Sequence, residues 1–254
     1  MQLFGIRTRM IKTGDNLVKI LLEALRKQEI TVENGDILAV ASKIVATVEG
    51  RIRELARVKT SAEAKRWAEA YDLEPGFVEV VLQESDEVYG GVSKALLTLK
   101  NNVFTINAGV DHKNAPEGYV VLWPENPQKS AEDIRKKVFE KTGKKVGVLI
   151  VDSMVNPRRM GTTGFALGVA GFKPIRDYRR RKDLYGNSIY ITRHALADDI
   201  ASAAHLIMGE SSEQTPIVLV RDAPVKLSEK VEPESMVIPK EQCLFGKLLE
   251  INRL

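Results

Sequence analysis

The sequence predicts an α+β protein, with mixed and antiparallel sheets packed against helices in two interleaved lobes. Short runs at 37–41, 146–151 and 217–220 are near-continuously apolar and rich in β-branched residues, the pattern of strands buried on both faces. Between them, longer segments repeat apolar residues at helical spacing, as Leu17, Val18, Leu21, Leu22 and Leu25 do. Two strand-like stretches, 92–99 and 103–107, follow one another across Lys100-Asn101-Asn102 as a hairpin would, which argues against a purely alternating parallel fold. A chain of 254 residues can bury a substantial core and divide into lobes.

Taken in order, residues 1–9 form an initial strand, and Thr13-Gly14-Asp15 is a turn that can cap a helix at 16–28. Glu33-Asn34-Gly35 turns into the strand 37–41, with Ser42 and Lys43 at its exit and a turn of helix through 43–50. Helical patterns cover 61–71, capped by Thr60 or Ser61, and 76–87, preceded by Pro75; Gly90-Gly91 breaks the second. After the hairpin, a polar loop at 112–118 leads to a strand at 119–122 and a turn at 123–127. Ser130 is placed to cap a helix to Lys141, with Asp133 in a capping-box role and Gly143 closing it. The strand 146–151 ends on Asp152, and the segment spaced by Gly161, Gly164, Gly168 and Gly171 reads as flexible backbone. A strand at 187–192, a helix at 194–208, a strand at 217–220, connecting chain at 222–239 and a helix at 241–251 complete the order.

Composition narrows the function classes. No apolar run approaches the roughly 20 residues that cross a bilayer, and M-Q-L-F-G-I-R-T-R lacks a signal-peptide pattern, so a cytoplasmic protein without membrane contact is expected. The single cysteine, Cys243, excludes an internal disulfide and a cysteine-built metal site, and His112, His194 and His205 lack zinc-protease spacing. The net charge of +4 is dispersed: the densest basic run, 176–182, contains Asp177 and is followed by Asp183. That pattern favours a solvated face or a phosphorylated small molecule over a nucleic-acid footprint.

The strand ends carry the chemistry. Asp152 and Ser153 leave one apolar run, Asp111 ends V-F-T-I-N-A-G-V-D, and Ser42 and Lys43 leave the run I-L-A-V-A. Open sheets place ligands beyond the carboxyl ends of strands. Taken alone, Asp152 fits a turn opener and Ser42 a helix cap; recurrence of the pattern favours strand-end acids sharing one cation. Mg²⁺ or Mn²⁺ suits such carboxylates together with substrate phosphates. Neither G-x-x-x-x-G-K-[ST] nor G-x-G-x-x-G is present, so any nucleotide site lies outside those loops.

A set of collinear blocks resembles one family. G-D-I-L-A-V-A-S-K-I-V, L-Q-E-S-D-E-V, N-A-G-V-D-x-x-N, P-E-N-P-x-x-S-A, G-V-L-I-V-D-S, F-A-L-G-V-A-G, D-Y-x-x-R-x-D-L-Y-G and L-I-M-G-E are similar to segments of the coenzyme F-420-0:L-glutamate ligases, from Lys12 to Arg221. The resemblance implies a catalytic region at 1–222, with 223–254 as a C-terminal connecting segment and helix, in a homodimer. It also implies that GTP phosphorylates a carboxylate of the deazaflavin precursor and that glutamate's amine attacks the acyl phosphate, aided by Mg²⁺ or Mn²⁺, with K⁺ as a further ion. Its metal ligands fall on Asp111, Asp152, Ser153 and Glu210. Its nucleotide contacts fall on Ser42, Lys43 and Asn114, on backbone at 8–11 ending at Ile11, and on the loop 208–215 with Met208, Gly209, Glu210 and Ser211. Arg159 is the candidate catalytic cation for substrate or transition-state charge.

The chain departs from the family pattern by losing cations at Thr47, Asn156 and Asn187 and gaining them at Lys113, Arg158 and Arg180. Two alternatives follow. A divergent ligase would bind nucleotide and metal but join another acid and amine, and a non-catalytic nucleotide-binding protein would be stabilised by ligand without releasing phosphate.

Overall fold

The computed structural model describes residues 1–251, so the end of the expected segment 223–254 lies outside the described residues. In chain order the elements are β1 (Gln2–Ile6), α1 (Leu17–Lys27), β2 (Ile37–Ala41), α2 (Ser42–Val48), β3 (Ile52–Glu54), α3 (Ala62–Tyr71), α4 (Pro75–Glu84), β4 (Glu87–Val92), β5 (Ala95–Lys100) and β6 (Val103–Ile106). There follow β7 (Tyr119–Val121), α5 (Pro127–Thr142), β8 (Gly147–Val155), β9 (Thr162–Ala170), β10 (Ile175–Asp177), β11 (Arg193–Ala195), α6 (Leu196–Met208), β12 (Ile217–Arg221) and α7 (Leu244–Ile251).

A five-stranded sheet runs β1-β12-β2-β8-β9. Only β2 and β8 pair in parallel; the other neighbours are antiparallel, so the α+β, mixed-sheet expectation holds. The apolar runs are continuous because both faces are covered. Leu38, Val40, Val148, Ile150, Ile217 and Leu219 face α1 and α5, and the intervening Ile37, Ala39, Leu149, Val151, Val218 and Val220 face α6. A third core is built within 55–122 from α3, α4, β5 and β7, around Phe77, Val78, Val81, Leu96 and Leu122. Parallel neighbours need a crossover connection; here the chain between β2 and β8 contains that whole third core.

Several elements differ from expectation. Most of the glycine-spaced segment is not a flexible loop but edge strand β9, which holds Gly164 and Gly168, is flanked by Gly161 and Gly171, and pairs antiparallel with β8 across one bulge at Ile150/Val151. A Cβ on Gly164 would lie 2.3 Å from the Ala201 carbonyl oxygen, and one on Gly168 2.4 Å from that of Pro127, so these glycines let α6 and α5 lie directly on the strand. Consequently β8 continues to Val155, and Asp152 stands within the strand rather than at its end. Gly90 and Gly91 lie inside β4, next to a bulge at Val88/Gly90, so α4 stops at Glu84. Asn126, not Ser130, caps α5 by accepting the Lys129 N–H at 2.9 Å, with Pro127 preset for the first helical position. Residues 187–192 form no regular strand; they fold back on 178–183 through the Lys182–Ser188 bridge and backbone bonds such as Arg180 N–H to the Ile189 carbonyl at 2.8 Å and Ile189 N–H to the Arg181 carbonyl at 2.9 Å, while β10 and β11 make the regular pair and α6 begins at Leu196 rather than His194.

Candidate functional site at the exits of the parallel strands

The parallel register sets Ala41 against Val151, so the residues that follow stand side by side where the parallel pairing ends, Ser42 turning into α2 and Asp152 continuing in β8 opposite Phe165. Ser42 is buried at the start of α2, where its hydroxyl serves the Asp152 carboxylate rather than capping the helix. The Ser153 N–H donates to Asp152 Oδ1 at 2.8 Å, and the Trp123 indole N–H donates to Oδ2. Trp123 is 3% exposed and has the Lys100 ammonium 5.5 Å from its ring; Lys100 is itself buried and paired with Glu84, which also holds Arg51.

Asp111 arrives from the other direction, held against Val121 by a bridge that extends the β3–β7 pair. Its Oδ2 accepts from Lys43 Nζ at 2.5 Å and its Oδ1 from the Lys113 N–H at 2.8 Å, while Lys43 Nζ also donates to the Lys113 carbonyl at 2.9 Å. Glu210, just beyond α6, completes the set. Lys113 Nζ donates to its Oε2 at 2.9 Å, and Thr162 Oγ1 to its Oε1 at 2.6 Å; His205 Nε2 lies 2.9 Å from that same oxygen. Asn114 Nδ2 donates to the Ser211 carbonyl at 3.1 Å and the Thr8 N–H to the Gln214 carbonyl at 3.1 Å, so the strands of chain at 8–11, 113–114 and 208–215 are laced together.

Charge and burial work differently on each acid. Burial pushes the Asp152 carboxyl up, against the opposing pull of the Ser153 N–H, the Lys43 charge, Trp123 and Ser42. Burial also acts to raise Glu210, but hydrogen bonds from Thr162 and Lys113, the Lys113 charge and His205 outweigh it and hold the carboxyl at about 2. Lys113 is raised, chiefly by its bond to Glu210 and further by the charges of Glu210, Asp111 and Asp152.

Among the described residues, no three His, Cys, Asp or Glu side chains stand close enough together to hold an ion between them. Two ammonium groups lie on the acids instead, Lys43 on Asp111 and Lys113 on Glu210. In chemistry the three carboxylates and the Ser153 hydroxyl are hard oxygens of the kind Mg²⁺ or Mn²⁺ takes, but holding an ion together requires their side chains to draw closer than they stand with Lys43 and Lys113 paired to Asp111 and Glu210. Asp111 also lines a cleft of about 370 Å³ with Asp72, Phe77, Lys94 and His112.

The family model described as F420-0:gamma-glutamyl ligase matches residues 5–222. The chain belongs to the F420-0:gamma-glutamyl ligase family. It is 40% identical over 212 residues to the coenzyme F420:L-glutamate ligase of Archaeoglobus fulgidus, covering 84% of this chain and 83% of that one. It is 34% identical to the proteins of that name from Methanosarcina mazei, over 246 residues, and Methanocaldococcus jannaschii, over 245; these cover 94% and 96% of this chain and 95% and 96% of theirs.

In this F420-0:gamma-glutamyl ligase family member, the residues foreseen at the site do not all lie alike. Asp111, Asp152, Ser153, Glu210, Ser42, Lys43, Asn114 and Ser211 form one connected neighbourhood. Met208, the last residue of α6, is buried against the sheet and Ile11 packs on the core beside α1, which leaves their backbone, not their side chains, to meet a ligand. Gly209 ends α6 with φ 72°. Arg159 is exposed in the turn between β8 and β9, and among the described residues its guanidinium has no partner. Trp123, Thr162 and His205 were not foreseen: their acid partners lie in distant or differently patterned segments, and no local motif announces them.

Proposed function

We propose that the protein is a GTP- and divalent-metal-dependent ligase that forms an amide bond between L-glutamate and the carboxylate of a deazaflavin coenzyme F420 precursor. The observation that carries this reading is the gathering of Asp111, Asp152 and Glu210 around the Lys43 and Lys113 ammonium groups at one end of the parallel strand pair. Family membership supplies the reaction class. Ligases of this kind spend a nucleotide triphosphate because a carboxylate is a poor acyl donor.

In the first step a carboxylate oxygen of the precursor attacks the γ-phosphorus of GTP; the bond to the β-phosphate oxygen breaks and GDP leaves. In the second, the glutamate amine attacks the acyl carbon, the carbon–oxygen bond to phosphate breaks, and the amine loses a proton as the amide forms. Phosphoryl transfer asks the protein mainly for position and charge neutralisation. Asp111, Asp152, Ser153 and Glu210 would hold Mg²⁺ or Mn²⁺, which when bound neutralises phosphate oxygens. Lys43 and Lys113 bring further positive charge, and Ser42, Asn114 and the backbone at 8–11 and 208–215 frame the nucleotide. The cleft beside Asp111 offers room for the acceptor, and Arg159 brings a guanidinium that can fold over an anionic substrate.

The catalytic region spans 1–222, with the remainder connecting, and the working unit is a cytoplasmic homodimer. Tyr185, Tyr190 and Ile191, all exposed between β10 and β11, offer apolar area for a second copy. Among the described residues no helix is long and apolar enough to cross a membrane.

The test is a thermal-shift titration with GTP and with ATP, each with and without Mn²⁺, followed by assay of glutamate incorporation into the precursor. A ligand at 100 times its dissociation constant stabilises by about 2.7 kcal/mol. Stabilisation requiring GTP and Mn²⁺ together, abolished in Asp152→Asn while the circular dichroism spectrum is unchanged, is expected. Undiminished stabilisation of Asp152→Asn would overturn the site, and absence of glutamate incorporation the activity.

A further inference from the structure

An ammonium group already stands on Glu210, the acid that follows α6. Lys113 Nζ donates to Glu210 Oε2 at 2.9 Å, and Asp111 and Asp152 attract the same ammonium. The other Glu210 oxygen is already taken by Thr162 and His205, so Oε2 is the atom Lys113 covers. The Lys113 backbone is fixed by its N–H on Asp111 and by Lys43 on its carbonyl, whereas the side chain is 56% exposed. A long side chain anchored at its base and open to solvent along its length can leave Glu210 without disturbing the fold.

We propose that Lys113 is a tethered cation that competes with divalent metal for Glu210 and couples metal binding to nucleotide binding. This rests on the metal reading of Asp111, Asp152 and Glu210. While Lys113 sits on Glu210, metal must displace it, and the apparent metal affinity is reduced by the fraction of time that Oε2 is covered. A bound polyphosphate gives the displaced ammonium a second anion. Metal and nucleotide therefore help each other, and by linkage the coupling is reciprocal.

The experiment measures Mn²⁺ binding by electron paramagnetic resonance, with and without a non-hydrolysable GTP analogue and corrected for Mn²⁺ held by the free analogue. Four folded proteins are compared: wild type, Lys113→Ser, Lys113→Arg and Asp152→Asn. Lys113→Ser is expected to bind Mn²⁺ alone about three- to tenfold more tightly than wild type, because an exposed ion pair reinforced by two further carboxylates exceeds the usual isolated surface pair. The enhancement of Mn²⁺ binding by the analogue should shrink by about the same factor, and Lys113→Arg should behave as wild type. Equal or weaker Mn²⁺ binding by Lys113→Ser, or an unchanged enhancement, would overturn the tethered cation. The site itself is read separately: if Asp152→Asn binds Mn²⁺ as wild type does, or if no variant binds it, the metal reading fails whatever Lys113 does.

Discussion

Replacing Trp123 with phenylalanine keeps an aromatic ring in its socket but removes the indole N–H that donates to Asp152 Oδ2. The residue is 3% exposed, so solvent does not readily replace the lost donor. A hydrogen bond to a charged group is worth about 1.5–3 kcal/mol. The smaller ring leaves a gap of a few tens of Å³, which at about 24 cal/mol per Å³ adds about 1 kcal/mol. Weakening of the Lys100 contact over the ring, now 5.5 Å, acts in the same direction. Trp123→Phe should therefore lose about 2–4 kcal/mol in urea unfolding followed by circular dichroism. Because the indole fixes one oxygen of a proposed metal ligand, the folded variant should also bind Mn²⁺ about 10–100-fold more weakly, the usual consequence of removing a partner that orients a ligand. Unchanged stability would refute the desolvated hydrogen bond. The expected stability loss with wild-type Mn²⁺ affinity would show that Trp123 packs the core without orienting Asp152.

Two further measurements address the frame around the site. Gly164→Ala places a Cβ 2.3 Å from the Ala201 carbonyl oxygen, so α6 must shift off β9; a loss of about 1–3 kcal/mol and a fall of about 3–10 °C in Tm are expected, and a Tm within a degree of wild type would remove close packing as the reason for this glycine. Glu210 is held at about 2, below its ordinary 4.5, so its stabilising contribution is full above about pH 4.5 and is lost as pH falls toward 2. The stability difference between wild type and Glu210→Gln, measured by urea unfolding from pH 7 to pH 3, should shrink on acidification; a constant difference would refute the ion-pair account.

Much of the sheet was legible. The runs at 37–41, 146–151 and 217–220 declared themselves because a strand covered on both faces needs apolar residues at every position, and that signal survives in isolation. The β9 segment hid for the opposite reason. Glycines that let a helix lie close look, in sequence, like glycines that loosen a loop, and the helices that demand them are far along the chain. At 187–192, Ile189, Tyr190 and Ile191 carry strand propensity, but the stretch folds back on 178–183 in an irregular pairing with a single bridge rather than a regular strand.

At the site, the strand-end pattern marked Asp111, Asp152, Ser153, Ser42 and Lys43, since acids and hydroxyls close after apolar strands are unusual enough to notice, and the family resemblance of the collinear blocks added Glu210. Only the tertiary structure decided what each one meets. The parallel pairing of β2 with β8 sets Ser42 beside Asp152, the separate core within 55–122 delivers Trp123 and Asp111 from the other side, and the chain after α6 returns Glu210 to Lys113. Those partners lie 29 residues apart for Trp123 and Asp152 and 97 for Lys113 and Glu210. Periodicity reports which face of an element is buried; hydrogen bonds and ion pairs act only across a few ångströms, a proximity that the folded chain alone creates.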